Sequence, residues 1–100
     1  MFIGVARFGL FIPESGSLKH KRQVVRSVTS VVRNKFNVAI AEVDHHELWQ
    51  RTAFGVSCVS GTAAQCRKVL QEVERAVGRA CIGSAEIVER AVEIVALDDL

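Results

Sequence analysis

The stretch FNVAIAEVDHHELWQRTAFGVSCV, residues 36–59, decides the fold. Residues 36–44 and 51–59 each read as a β-strand, rich in branched and aromatic side chains. Residues 45–50, HHELWQ, form a hairpin loop or a strand extension between them. Two consecutive strands in the middle of the chain leave the topology to whatever stands on either side.

Upstream, residues 2–12 alternate. Phe2, Gly4, Ala6, Phe8, Leu10 and Ile12 make one face; Ile3, Val5, Arg7, Gly9 and Phe11 make the other. Pro13 has no N–H to donate and ends that strand. A turn at residues 14–17 delivers Ser17, a good helix N-cap. Leu18, Val24, Val25, Val28, Val31 and Val32 then share one side of a helical wheel and make a core-facing stripe. Valine is a mediocre helix former, so packing must stabilise this helix.

Downstream, Ser60-Gly61 turns the chain, and Thr62 and Gln65 have the spacing of a capping box. Cys66, Val69, Leu70, Val73, Ala76, Val77 and Ala80 step at helical intervals. Residues 79–84 loop back and residues 85–95 make a fourth strand. The order is βαββαβ. Each helix has one apolar stripe, so both belong on the same face of a four-stranded antiparallel sheet. This is an α+β sandwich of the ferredoxin-like kind, one domain over residues 1–100.

A chain of 100 residues with 49% hydrophobic and 24% charged content is expected to bury one core without metal or disulfides. The apolar start lacks a basic leader and is interrupted by Arg7, unlike a signal peptide. No apolar run reaches the roughly 18 residues of a membrane span. Cys58, Cys66 and Cys81 contain no Cys-x-x-Cys pair and fit free thiols in a reducing, cytoplasmic compartment. Cys58 and Cys66 fall on apolar faces, and Cys81 falls in a loop.

Charge is uneven. Residues 1–40 hold seven lysines and arginines against the single acid Glu14, while residues 41–100 hold six against ten acids. The positive charge concentrates on the first helix. Lys19, Arg22, Arg26 and Arg33 fall within about 60° on its wheel, opposite the valines. Lys21 and Lys35 flank the apolar side, where long stems snorkel. No acid lies between residues 15 and 41 to neutralise the stripe. Cations at a helix start are locally unfavourable, and a phosphate at the free N–H groups would reverse that. Lys19, Lys21, Arg22, Arg26, Arg33 and Lys35 are therefore the expected phosphate contacts.

The motifs SLKHKR, RNKFNV, AEVD and LWQR, together with the closing SAEIVERAVEIV, resemble the bacterial YlxP-like proteins, a family of unknown function. Gly16 and His20 stand where many members carry other polar or charged residues. The resemblance implies a small cytoplasmic ferredoxin-like protein. The family's genes often lie near those of initiation factor two and ribosome-binding factor A, which implies work with ribosomes or RNA. It supplies no catalytic residues.

The remaining signals are weaker. Ferredoxin-like sheets can stack RNA bases on aromatic side chains, but Ala53, Gly55, Ser57 and Val59 offer no ring. Ile3, Val5 and Phe11 on the open side point instead to homodimerisation through the sheet. Asp44, His45, His46, Trp49 and Arg51 make a polar hairpin end and a plausible partner contact, with Asp44 or Glu42 pairing Arg51. No histidine spacing typical of a metal site, no phosphate-loop lysine and no Gly-x-Ser-x-Gly occurs. Glu86, Glu89, Glu93, Asp98 and Asp99 read as a solvated edge and tail.

The leading expectation is a non-enzymatic protein, without metal or other cofactor, that contacts ribosomal RNA or a ribosomal subunit through the first helix. The alternative is a dimeric protein-interaction module using the open sheet and the Trp49 hairpin, without nucleic acid. An enzyme acting on a small anion at the helix start is a third, weaker reading.

Overall fold

The computed structural model describes residues 1–99, with side chains through Asp98. Strand β1 spans Phe2–Phe11, helix α1 Leu18–Lys35, strand β2 Ala39–Asp44 and strand β3 Arg51–Ser60. Helix α2 spans Ala63–Ala80 and strand β4 Glu86–Ala96, with a short 3-10 turn at Leu97–Asp99. The sheet is antiparallel throughout, in the order β2-β3-β1-β4. Both helices cover one face, as the sequence predicts.

The core follows the alternation of β1. Phe8, Leu10 and Ile12 are fully buried, with Phe54, Val56 and Cys58 of β3 beside them. Phe8 and Phe54 are direct cross-strand partners and form the aromatic centre of the sandwich. Helix α2 contributes Cys66, Leu70, Val73, Ala76 and Val77. It approaches β1 closely at Gly4, where a Cβ would meet Cys58 Sγ and Leu70 Cδ1 at 3.0 Å. Glycine is needed there for space.

The caps form at the expected residues. Ser17 Oγ accepts from the His20 amide, and Thr62 Oγ1 accepts from the Gln65 amide. Boundaries differ modestly. β2 begins at Ala39 rather than residue 36, because Phe36 caps α1 and its amide still donates to Val32 O. Residues 45–50 are a loop, not a strand extension, and His45 reverses the chain with φ +62°.

The buried face of α1 is narrower than the valine count implies. Val24, Val28 and Val32 are buried, whereas Val31 is exposed. The fourth buried member of the stripe is a lysine.

Candidate functional site

Lys21 corrects the expectation that it meets solvent phosphates. It is 1% exposed. Its stem lies among the valines, and its ammonium crosses to the β2–β3 loop. Nζ donates to the carbonyls of His45 (2.7 Å), His46 (3.0 Å) and Arg51 (3.3 Å), and Glu42 Oε2 lies 3.3 Å away. Thr52 Oγ1 donates to the same Glu42 oxygen. The ammonium thus occupies a cage of oxygens, much as a small cation would, and satisfies carbonyls that the reversal at His45 turns inward. Lys21 therefore does not snorkel: its ammonium is buried along with its stem.

The expected pairing of Arg51 with Asp44 or Glu42 is likewise replaced. Glu42 belongs to Lys21 and Asp44 belongs to Arg7, while the buried Nε of Arg51 makes no hydrogen bond. Arg7 lies on the open sheet face. It donates from Nε to Glu89 at 2.5 Å and from a terminal nitrogen to Asp44 at 3.1 Å. β3 lies between β1 and β2, so this contact spans a strand, and over Gly55, the β3 partner of Arg7, it is the Val43 side chain that fills the space, its Cγ1 2.9 Å from where a Cβ would stand. The two carboxylates raise the Arg7 pKa, Glu89 most. The Asp44 carboxyl is held below its usual range, first by the amide of His45 and then by Arg7. Glu89 is therefore not simply a solvated edge residue.

The remaining cations of α1 stay on the surface. Lys19, Arg22, Arg26, Arg33 and Lys35 are all exposed. Among the described residues, none has a carboxylate within 4.0 Å. Arg33 donates to the edge carbonyl of Ile40, which holds it beside β2 and blunts that edge. Lys35 sits on the other flank, its ammonium 5.8 Å from the Phe36 ring centroid. Lys19, Arg22, Arg26 and Arg33 therefore make the solvent ridge the wheel predicts, one member of the six having been withdrawn into the core.

Sequence reasoning places the second helix but misses its cationic face. Lys68, Arg75 and Arg79 recur at intervals of seven and four, and are exposed on its outer face. Arg75 and Arg79 line a cleft with Lys35, Phe36 and Glu72, at the seam where α1 and α2 meet. Together the helices carry ten lysines and arginines against two glutamates, whereas the four strands carry three arginines against five acids. Summing residues 41–100 as one acidic block hides a helix that carries four lysines and arginines against two glutamates. The signal was the helical interval, available in the sequence.

The other candidate residues are dispersed. Trp49 and Leu48 are exposed and border an open groove with Ser15, Gly16, Glu47 and Arg51. Gln50 ties this loop to the end of β1 through Pro13 O and the Ile12 amide. His45 faces Asp44 and His46 faces Glu42, on different sides of the hairpin. Among the described residues, no three His, Cys, Asp or Glu side chains converge as metal ligands. On the open face, Val5 is exposed, while Ile3 and Phe11 are half-buried. Cys58, Cys66 and Cys81 are free and buried. Burial pushes the Cys81 thiol up to about 11, which makes it a poor nucleophile. The side chain of Asp99, expected in the acidic tail, lies outside the described residues.

Residues 3–92 match the family model described as a protein of unknown function, DUF503. The chain belongs to the DUF503 family. The uncharacterized protein YlxP of Bacillus subtilis (strain 168) is 45% identical over 71 residues, which span 71% of this chain and 77% of that protein. The YlxP-like resemblance read from the motifs is thereby confirmed. Solved structures share the fold at low identity. A de novo designed protein with a ferredoxin fold aligns at TM-score 0.53 and 12% identity, over 97% of this chain and 88% of its own. A dimeric ferredoxin-like protein from an uncultured marine organism aligns at TM-score 0.53 and 6% identity, over 97% and 98% of the two chains. No described helix is long and apolar enough to cross a membrane.

Proposed function

We propose that this DUF503 protein is a non-enzymatic, cytoplasmic RNA-binding protein that contacts phosphates through the outer face of α1. One observation carries the reading: Lys19, Arg22, Arg26 and Arg33 stand side by side in water, and no carboxylate among the described residues lies within 4.0 Å of them. Four like charges along one helix face repel one another, and a polyanion turns that repulsion into attraction. Contacts of this kind go to the backbone and carry little sequence information. Ribosomal RNA is the partner that the family's gene neighbourhood favours.

The test is a titration of labelled ribosomal RNA fragments with the wild type and with Lys19→Glu/Arg22→Glu/Arg26→Glu. The reading expects binding to weaken at least about tenfold at fixed salt, with the circular dichroism spectrum and Tm retained. Superimposable curves would reject it.

A second reading concerns the opposite face of the sandwich. Val5, Val43 and Val59 are exposed there, beside a shallow apolar depression formed with Ala39, Ala41 and Gly55. A second copy of this chain would cover these valines. The marine ferredoxin-like neighbour is itself named as a dimer. Sheet and helices face opposite ways, so a sheet dimer would leave both cationic ridges free. Light scattering decides this reading: twice the chain mass supports it, and a monomer at high protein concentration refutes it.

A further inference from the structure

We infer that the RNA this protein takes is base-paired, lying across both helices rather than along α1 alone. The inference rests on the RNA-binding reading above and specifies the class of RNA. Two cationic rows carry it. The first is the ridge Lys19, Arg22, Arg26 and Arg33, which Arg33 anchors against the β2 edge through Ile40 O. The second is Lys68, Arg75 and Arg79 on α2, joined by Lys35 at the seam. Among the described residues, no carboxylate lies within 4.0 Å of any cation in either row. Glu72 shares the seam cleft but forms no such pair.

The rows lie on opposite flanks of α1. They are therefore separated by at least about one helix diameter, roughly 10 Å. A single strand following the ridge leaves the second row empty. A duplex presents two phosphate rows separated by a groove, and the wide, shallow minor groove of A-form RNA is read across its phosphates and 2′-hydroxyls. Polar α1 side chains between the rows, Gln23, Ser27, Ser30 and Asn34, are exposed and suited to such hydroxyls.

Recognition of a single strand, by contrast, depends on stacking platforms. Phe11 is the one ring on the open-face rows of β1 and β3, and it is half-buried at the sheet's end. The Phe36 ring already carries the Lys35 ammonium. Among the described residues, the outer face of the two helices thus offers two rows of charge with hydrogen-bonding groups between them, and the one exposed large ring, Trp49, stands apart on the β2–β3 loop.

The experiment compares a 20-base-pair RNA duplex with an unstructured 20-nucleotide RNA at one salt concentration. The proteins are the wild type, Arg75→Gln/Arg79→Gln and Lys19→Gln/Arg22→Gln/Arg26→Gln, with thermal melts confirming that each folds. The expected wild type binds the duplex about tenfold or more tighter than the strand. Arg75→Gln/Arg79→Gln loses most of that preference while strand binding changes less than about twofold. Equal wild-type affinity for duplex and strand overturns the inference. So does an α2 variant that keeps the duplex preference. If the wild type binds neither RNA, or the α1 variant binds both as tightly as the wild type, the RNA-binding reading itself fails and takes this inference with it.

Discussion

Replacing Lys21 by Met keeps the length of the stem and removes the ammonium from its cage. Three carbonyls, those of His45, His46 and Arg51, lose a donor, and Glu42, whose side chain is 18% exposed, loses its cationic partner. Breaking one side of a buried ion pair costs about 3–5 kcal/mol, because the remaining charge stays desolvated. Unsatisfied carbonyls cost about 1–3 kcal/mol each before water reaches them. The loop end is close to solvent, so water takes over the carbonyls and the ion-pair term alone sets the loss, roughly 3–5 kcal/mol. A domain of this size has about 5–15 kcal/mol in total. The expected loss of Tm is roughly 15–30 °C. Urea unfolding followed by Trp49 fluorescence measures it, with Lys19→Met as the control, expected within about 0.5 kcal/mol of the wild type. Adding Glu42→Gln to Lys21→Met should recover part of the loss, with a coupling of about 1–3 kcal/mol. A Lys21→Met protein as stable as Lys19→Met would refute the cage and return Lys21 to the solvent ridge.

Two further outcomes follow from the packing and the thiols. Gly4→Ala should destabilise by about 1–3 kcal/mol in the same urea assay, since its Cβ would crowd Cys58 and Leu70 at 3.0 Å; a neutral result would mean that α2 shifts freely over β1. The Cys81 thiol is neutral in the fold up to about 11, above its unfolded value, so the unfolded chain releases its proton first. Stability should be unaffected below about pH 8 and should fall as pH rises from there to about 11. The loss reaches about 2–3 kcal/mol, and Cys81→Ala should remove that portion of the pH dependence. Equal slopes for both proteins would contradict the burial argument.

The fold was legible because its two periods are clean. β1 alternates from Gly4 to Phe8, and α2 steps through Cys66, Leu70, Val73 and Val77 without interruption, so burial follows position there; Gly9, on the open face but buried, is the exception. The ridge was legible for the same reason, since a helix wheel is a local construction. Lys21 and Arg7 were not. Lys21 lies beside Val24, Val28 and Val32 on the buried side, but its partners are loop carbonyls 24 to 30 residues away. Arg7 finds Glu89 on the adjacent strand β4 and Asp44 on β2, two strands away, and the register shifts at Val43 and Val88 fall next to those two partners. Such contacts depend on register, and no local pattern encodes register between strands 37 or 82 residues apart. The α2 cations were a different case. Their spacing was visible, but of the two acids on their helix Glu74 pairs with Arg90 and Glu72 shares their cleft without pairing, which a charge sum over sequence does not reveal.

If α1 meets phosphates, RNA binding weakens with salt in proportion to the cations on its outer face. Each phosphate contact contributes about −0.7 to −0.9 to the slope of log affinity against log salt. Neutralising three cations in Lys19→Gln/Arg22→Gln/Arg26→Gln should therefore make the slope shallower by roughly 2–3 relative to the wild type. Parallel lines for the two proteins, whatever their offset, would mean that these three side chains do not touch phosphates.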